Sequence, residues 1–268
     1  MELMVNGSKT YCYTGGKAFD ARQPTVIFLH GVLKDHSVWI LQTRFLAHHG
    51  WNVLALDLPG HGKSAGDPPA SVEAAADFVQ ALMDATSVQT AALIGHSFGS
   101  LIALETAARL RQRISHLVLV GTAFPMKVSP TLLDASQNDP EKAIALVNAF
   151  SHNTLGPPPS ALGPGTWLYG GARALMRRVL ASNPRVNLFH TGFKACDSYT
   201  GGEAAMARVE APTLFILGQY DQMTPPKAAQ SLLRLAQRAT VTTVPSGHEM
   251  MLEAPGAVLA AMQAFLTR

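Results

Sequence analysis

The most informative motif of the sequence is Gly95-His96-Ser97-Phe98-Gly99, which lies between a short apolar run at 91–94 and a helical pattern over 100–110. The spacing fits G-x-S-x-G, a pattern typical of a serine placed on a sharp turn from strand to helix. Such a turn exposes the hydroxyl, and the flanking glycines remove side chains that would collide with neighbouring backbone. We therefore predict Ser97 as a nucleophile. For the motif taken alone, the alternative is a glycine-flanked turn in which the serine only caps the helix.

Apolar runs of the same kind recur along the chain and alternate with longer helical patterns. Four or five consecutive apolar residues are typical of strands buried on both faces of a parallel sheet. A hairpin signal at Asn6-Gly7 indicates that this sheet starts antiparallel. Helices are predicted over 71–85, with Ser71 as N-cap, and over 255–266. The predicted strands are 25–29, 52–56, 91–94, 117–120, 213–217 and 240–244. The alternation predicts an α/β fold with a mostly parallel central sheet flanked by helices.

The pattern changes over residues 124–208, where strand runs disappear and prolines interrupt several helical stretches. Such a length is too great for an ordinary loop. We therefore predict a core formed by residues 1–123 and 209–268, with 124–208 inserted as a helical lid over one edge of the sheet. Most apolar residues of this segment, Leu155 among them, should serve packing, and the Pro157-Pro158-Pro159 run should form a stiff turn.

Composition describes a globular chain: 268 residues, 47% hydrophobic and 15% charged, are enough for a sizeable core. Lysine and arginine exceed aspartate and glutamate by only 21 − 18 = 3, which does not favour nucleic-acid binding. Cys12 and Cys196 have neither disulfide-framework nor metal-site spacing, so we expect reduced thiols and no metal. The first seven residues lack the basic start and apolar run of a signal peptide, and no apolar stretch is long enough to span a bilayer. We expect a cytoplasmic protein without stable membrane association.

An acid and a base follow the last two predicted strands. Asp221 comes four residues after the strand ending at Leu217, and His248 comes four residues after the strand ending at Val244. The carboxyl ends of parallel strands meet at one edge of an open α/β sheet, where ligands bind. Because a serine hydroxyl needs a base, and the base needs a carboxylate to fix its tautomer, we predict Ser97, His248 and Asp221 as a catalytic triad.

With these motifs the chain resembles the α/β-hydrolase fold family, in its serine-nucleophile branch with a helical lid. The resemblance runs from His30-Gly31 through the serine turn to Gly247-His248, and the order Ser, Asp, His matches the order in the family. His30-Gly31-Val32 resembles the family's oxyanion loop, which implies that the backbone N–H groups of Val32 and Phe98 stabilise the tetrahedral oxyanion. No phosphate-binding loop or dinucleotide fingerprint is present, so no cofactor is implied.

Other polar residues near these motifs are interpreted as structural. The run from Asp57 to Ser64 resembles the family's D-x-x-G-x-G-x-S turn, in which Asp57 holds a tight loop and His61 packs beside it. His30 should shape its own loop by hydrogen bonding. Lys34 and His36 could line the entrance of a pocket, but ordinary exposure in the loop is the preferred interpretation.

The chemistry expected from these residues is acyl transfer to serine. Members of the resembled family that dehalogenate alkyl halides or open epoxides use an aspartate nucleophile, which does not fit Ser97. We expect a serine hydrolase acting on a small, partly apolar carboxylic ester, thioester or lactone through an acyl-serine intermediate. The alternatives are a carbon–carbon bond hydrolase or cofactor-free perhydrolase on the same triad, or a hydrolase-like receptor for a small ligand. Met223, Met250 and Met251 are expected to make the pocket apolar.

Overall fold

The structure is a computed structural model that describes residues 1–20, 22–154 and 166–267. Apolar, β-branched runs form its strands because their side chains can pack on both faces of a pleated sheet. The strands are β1 (Glu2–Val5), β2 (Ser8–Tyr13), β3 (Thr25–Leu29), β4 (Asn52–Leu56), β5 (Ala91–His96), β6 (Ile114–Val120), β7 (Thr213–Gly218) and β8 (Ala239–Val244). Each predicted strand is present, within three residues at either end.

Eleven helices of the described residues lie between the strands and after the last strand. Short 3₁₀ turns at His36–Trp39, Arg111–Arg113 and Pro226–Ala229 accompany them. Ser71 caps the helix that begins at Val72, as predicted, because its side chain accepts a hydrogen bond from the Ala74 N–H. The helices are α1 (Ile40–His48), α2 (Val72–Ala85), α3 (Phe98–Leu110), α4 (Pro130–Asn138), α5 (Pro140–Ser151), α6 (Leu168–Ala181), α7 (Leu188–Ser198), α8 (Gly202–Met206), α9 (Gln230–Leu235), α10 (Met250–Glu253) and α11 (Pro255–Leu266).

The eight strands form one sheet in the order β1-β2-β4-β3-β5-β6-β7-β8. The pairings β1–β2 and β2–β4 are antiparallel, and every later pairing is parallel. The antiparallel start confirms the hairpin prediction at Asn6-Gly7. The mostly parallel sheet flanked by helices confirms the predicted fold class.

Strand register brings the carboxyl ends of the central strands to one edge of the sheet. Leu29 of β3 pairs with Gly95 of β5, and the next residue of β5, His96, pairs with Val120 of β6. On the far side, Gly218 of β7 pairs with Val244 of β8. The segments after β3 and β5 therefore leave this edge on one side of β6, and those after β7 and β8 leave it on the other side. These four segments carry the predicted site residues.

Two apolar cores lie on opposite faces of the sheet. Successive side chains of a strand point to opposite faces, so Ile27 and Leu29 pack in one core while Val26 and Phe28 pack in the other. Residues of α2 and α3 cover the first face, and residues of α1 and α11 contribute to the second. Strands β3, β4, β5 and β7 are fully buried between these layers, so close packing fixes the central part of the sheet edge.

A helical segment, α4 to α8, connects β6 to β7. It has a small apolar core of its own, which also takes in Leu33 from the loop after β3. Arg178 of α6 adds an ion pair with Asp35 of that loop at 2.7 Å. Leu155 and the run Pro157-Pro158-Pro159 lie outside the described residues, and the division into core and lid remains a prediction. No helix of the described ranges is long and apolar enough to cross a membrane.

Candidate active site

Ser97 lies at the turn between β5 and α3, with a strained backbone. Its φ is 53° and its ψ is −120°, a conformation that costs a residue with a side chain of order 1–3 kcal/mol. Three hydrogen bonds hold the turn. The Ser97 N–H donates to the Val120 carbonyl at 3.0 Å, and the Ser97 carbonyl accepts from the Ser100 N–H at 2.8 Å and from the Ser100 hydroxyl at 2.6 Å. Such an outlier, held by its surroundings, is typical of functional positions.

The glycines on either side of Ser97 are required by close backbone contacts. A Cβ on Gly95 would lie under 3.0 Å from the Gly99 carbonyl oxygen and the Ser100 nitrogen. A Cβ on Gly99 would lie under 3.0 Å from the carbonyl oxygens of Leu29 and His30. Backbone atoms cannot move aside as a flexible side chain could. The two positions therefore exclude every residue with a side chain as long as the turn keeps this shape.

Asp221 and His248 meet at the carboxyl edge of the sheet. The His248 Nδ1 lies 2.8 Å from the Asp221 Oδ2, and both residues are buried. The other carboxylate oxygen, Oδ1, accepts hydrogen bonds from the N–H groups of Met223 and Thr224, each at 2.8 Å. The ionised carboxylate is therefore fixed in position by the turn that follows it.

Thr224 is part of this arrangement, although the sequence interpretation did not single it out. Its hydroxyl donates to the Asp221 Oδ2 at 2.7 Å and lies 3.1 Å from the His248 Nδ1. The signal that could have found it is the spacing Asp-x-x-Thr after a strand, since a carboxylate often accepts bonds from the residues two and three positions on. Thr224 thus connects the acid to the base.

Burial and mutual pairing shift the pKa values of these two residues in opposite directions. Burial alone would lower the pKa of His248, but the charge of Asp221 and the hydrogen bond to it outweigh burial, so the pKa lies above 6.5. Burial alone would raise the pKa of Asp221, yet the charge of His248 and the hydrogen bonds hold it well below its usual range. Asp221 is therefore a carboxylate throughout the neutral range, as the orienting group of a serine triad must be.

His96 supports the loop that carries His248. Its Nε2 lies 2.9 Å from the His248 carbonyl oxygen. Burial and the charge of His248 lower the pKa of His96 to about 3, so the ring is neutral at pH 7. A carbonyl oxygen only accepts, hence Nε2 carries the proton and Nδ1 is left as an acceptor. His96 therefore holds the backbone of the His248 loop, and the predicted role of nucleophile belongs to Ser97 alone.

Two backbone N–H groups are available for the predicted oxyanion hole. Within the described parts of the chain, neither the Val32 N–H nor the Phe98 N–H has a hydrogen-bond partner. Phe98 is the first residue of α3, so its N–H belongs to the unsatisfied group at a helix N-terminus. His30 fixes the loop before Val32, because its Nδ1 lies 2.9 Å from the Gly31 oxygen and its Nε2 accepts from the Leu58 N–H.

Ser97 and His248 line one cavity of about 480 Å³, beneath the helical segment. Met223 lines this cavity as expected, but the expectation for Met250 and Met251 is wrong. Both are buried in the core on one face of the sheet, because α10 turns its side chains away from the pocket. The cavity wall is mostly apolar and includes Val32, Met126, Val128, Leu132, Leu146, Phe150 and Phe193, with Lys127, Thr131 and Gln222 as polar members.

The loop after β3 differs from the prediction at Lys34. Lys34 is not exposed: it is 4% accessible and forms an ion pair with the buried Glu249, with 2.6 Å between Nζ and Oε1. His36 is mostly covered and lies 2.7 Å from the Asp57 carboxylate. Asp57 also accepts from the N–H groups of His36 and Lys63. These contacts agree with the loop-holding role predicted for Asp57.

One group of residues has the geometry of a possible metal site. Asp35, His36 and Asp57 each place one ligand atom within 4.8 Å of the others. However, Asp35 accepts from Ser37 and from the Arg178 guanidinium, and Asp57 is engaged as described above. Protein donors, one of them cationic, thus account for these oxygens.

Comparison with known proteins gives the same fold. The family model described as alpha/beta hydrolase fold matches residues 24–255. A mouse sn-1-specific diacylglycerol lipase is 25% identical over 254 residues, which covers 92% of this chain and 82% of the lipase. The dihydrolipoyllysine-residue acetyltransferase component of the acetoin cleaving system of Cupriavidus necator is 37% identical over 115 residues, 41% of this chain and only 28% of that protein. The crystal structure of the enol-lactonase from Burkholderia xenovorans superposes with a TM-score of 0.83 at 21% identity, over the full length of both chains.

Proposed function

Since the chain belongs to the α/β-hydrolase fold family, we propose that it is a serine hydrolase that cleaves a small carboxylic ester, thioester or lactone through an acyl-serine intermediate. The observation that carries the proposal is the convergence of Ser97, on its strained turn, with a buried His248–Asp221 pair around one cavity. The likeness to a diacylglycerol lipase, over 92% of this chain and 82% of the lipase, supports ester chemistry.

In the proposed acylation step, the Ser97 hydroxyl attacks the carbonyl carbon and its proton passes to the His248 Nε2. The carbonyl oxygen becomes an oxyanion that accepts hydrogen bonds from the Val32 and Phe98 N–H groups, and such donors typically contribute about 3–4 kcal/mol each. Asp221 holds the proton-bearing Nδ1 of His248 and stabilises the imidazolium. The intermediate then collapses, and His248 returns the proton to the departing alcohol, thiol or ring oxygen.

In the proposed deacylation step, water takes the place of the leaving group. His248 accepts a proton from the water as its oxygen attacks the acyl carbon, and the same two N–H groups hold the second oxyanion. Collapse breaks the bond to Ser97, whose oxygen regains a proton from His248, and the carboxylic acid leaves. Every proton in the cycle is carried by groups of the chain, so this mechanism calls for no cofactor.

The cavity wall supports a partly apolar small-molecule substrate. Apolar side chains from the oxyanion loop and the helical segment surround Ser97, and they can remove an alkyl acyl group from water. Phe150, at the wall, is 48% exposed, so one end of the cavity opens to solvent. We place the acyl chain in the apolar part and the leaving group toward the open end.

Covalent labelling tests the nucleophile. A fluorophosphonate probe should add once to the wild-type protein, as read by intact mass, and should not add to the Ser97→Ala variant. Ser129→Ala is the matched control, because Ser129 is another serine of the cavity wall and its loss should leave labelling intact. Equal labelling of wild type and Ser97→Ala would disprove the assignment.

Turnover on a small substrate panel tests the reaction class. We expect hydrolysis of short p-nitrophenyl esters in the presence of EDTA. Negligible ester turnover beside rapid cleavage of a dienoic diketone would establish carbon–carbon hydrolysis instead. Inactivity on esters, thioesters, lactones and diketones, together with a ligand-induced rise in Tm, would establish a receptor.

A further inference from the structure

A second, much smaller cavity lies beside Ser97 and is lined by buried polar groups. Its volume is about 30 Å³, close to the space of one water-sized group. Three of the residues that line it each carry a buried polar atom that lacks a hydrogen-bond partner within the described parts of the chain: His96 Nδ1, Ser151 Oγ and Glu249 Oε2. A fourth lining residue, Lys34, uses its Nζ in the ion pair with the Glu249 Oε1 and keeps further N–H donors to offer. Each of these residues is at least nine-tenths buried. Unpartnered buried polar atoms are costly, so three of them around one cavity, beside a buried ammonium, indicate a ligand group that satisfies them.

The charges around this cavity select a neutral ligand group. Lys34 and Glu249 cancel each other as an ion pair, and His96 is neutral. An added carboxylate or ammonium would leave a buried net charge, which is strongly unfavourable. An alkyl group would leave the three polar atoms unsatisfied. A hydroxyl fits both limits, since it accepts from the Lys34 ammonium and donates to the His96 Nδ1 or the Glu249 carboxylate.

The small cavity adjoins the reacting centre. Five of its lining residues, Val32, Ser97, Phe193, Met223 and His248, also line the larger cavity. Gly31 and Val32 of the predicted oxyanion loop form part of its wall. Because Ser97 itself lines the small cavity, we take a group bound there to be a substituent near the attacked carbonyl carbon, on carbon 2 or 3 of an acyl chain.

We propose that Lys34, His96, Ser151 and Glu249 form a hydroxyl subsite, which binds a hydroxyl on carbon 2 or 3 of the acyl group and makes the enzyme selective for hydroxyacyl esters. The inference rests on the proposed ester hydrolysis and names its substrate class. With an unsubstituted acyl chain, one water can satisfy the same polar atoms. The selectivity is therefore moderate rather than absolute.

The experiment compares esters that differ by one hydroxyl. Initial rates are measured by pH-stat for methyl butanoate and for each enantiomer of methyl 2-hydroxybutanoate and methyl 3-hydroxybutanoate. We expect kcat/KM for the best hydroxy ester to exceed that of methyl butanoate about tenfold, equivalent to about 1.4 kcal/mol. A ratio near one for every hydroxy ester would overturn the proposal.

Variants then connect the preference to the subsite. The double change Lys34→Met with Glu249→Leu removes both charges together, which avoids an unpaired buried ion, and should bring the ratio to about one. Ser151→Ala is a milder second variant, because it removes one hydroxyl and keeps the backbone, and it should lower the ratio about threefold. Thr131→Val is the matched control: it removes a hydroxyl from the larger cavity and should change both rates by the same factor.

The outcomes separate this inference from the proposed function. If wild type hydrolyses methyl butanoate but the ratio survives in both subsite variants, the hydroxyl subsite is wrong and the hydrolase stands. If both rates fall equally in the variants, the site serves a water and the substrate assignment is overturned. If wild type cleaves no ester, binding to Ser97→Ala protein is measured calorimetrically. Tighter binding of the hydroxy ester, lost on removal of the ion pair, would then support the subsite, and equal binding would refute it.

Discussion

Asp221→Asn is the change that most directly tests the predicted acid. In the structure the Asp221 Oδ1 accepts two backbone N–H groups, and Oδ2 lies against the His248 Nδ1. An asparagine can keep its carbonyl oxygen on the two N–H groups, which places its amide NH₂ against His248. A donor then faces a donor, so the imidazole must shift its proton to Nε2. That nitrogen can no longer accept the Ser97 proton.

The expected loss is large in activity and small in stability. A wrong tautomer in a serine triad lowers kcat by a factor of the order of 10⁴, which corresponds to about 5 kcal/mol of transition-state free energy. The fold should persist, because the two backbone hydrogen bonds of the turn are retained. The pKa of His248 should fall, since burial, which lowers it, is no longer opposed by the charge of Asp221.

The assay is the pH dependence of kcat/KM for p-nitrophenyl butanoate between pH 5 and 9, together with thermal unfolding. Wild-type activity should rise with pH as His248 loses its proton, with a midpoint above 6.5 because the pKa is raised. In Asp221→Asn the residual activity should rise at lower pH. Asp57→Asn is the control: Asp57 is also a buried carboxylate bonded to a histidine, but its partner is His36, so the midpoint should stay in place.

Two results would refute this reasoning. Asp221→Asn with wild-type kcat/KM would show that the carboxylate does not orient the base. A folded Asp57→Asn protein that loses both activity and the pH midpoint would show that the acid was chosen wrongly. A loss of Tm in Asp221→Asn as large as the loss in a core variant would make the kinetic comparison invalid, and Thr224→Val would then take its place, since it removes only one bond to the carboxylate.

Further changes test the packing beneath the site and the pocket above it. Gly99→Ala should destabilise the fold by roughly 3 kcal/mol or more, because its Cβ meets backbone oxygens, and denaturant unfolding measures the loss. Lys34→Met should cost about 3–5 kcal/mol because it leaves Glu249 buried without its partner. In wild type, burial alone would raise the pKa of Glu249, but the charge of Lys34 outweighs burial and lowers it to about 2. The stabilisation from this pair is therefore present above pH 4.5 and is lost as the pH falls toward 2. A Lys34→Met variant that unfolds in acid with the same pH dependence as wild type would contradict the pairing. Along a series of p-nitrophenyl esters, kcat/KM should rise about fourfold for each added methylene, at about 0.8 kcal/mol each, until the cavity is filled; a flat series would contradict an apolar acyl site.

The strands and the positions of the candidate site could be predicted because their signals are local. Residues 25–29 are all apolar or β-branched, and the structure buries all five between two cores. Ser97, Asp221 and His248 each follow such a run, and parallel register then brings the ends of the runs together. The apolar runs that predict the strands also predict where each strand ends. They therefore indicated which residues lie at the carboxyl edge of the sheet.

The errors concern side chains whose environment depends on distant partners. Lys34 lies in a loop and carries a charge, and nothing within that loop indicates burial. It is buried because Glu249, far along the chain, supplies the opposite charge. Met250 and Met251 follow the base directly, but the rotation of α10 decides which way they point, and that rotation is set by packing against the sheet. Local patterns do not contain this information.

The loop of the base depends on the helical segment as well as on the sheet. The carbonyl oxygen of Ser151, the last residue of α5, accepts from the His248 N–H at 2.7 Å and from the Glu249 N–H at 3.2 Å. Glu253 joins the same two parts, since its carboxylate accepts from the Gly247 N–H and from the Asn153 N–H. A displacement of α5 would therefore move the base and one wall of the hydroxyl subsite together. We therefore expect the contacts that this segment makes with a substrate and the alignment of the proposed triad to depend on each other, even though the chain inserts the segment between two core strands.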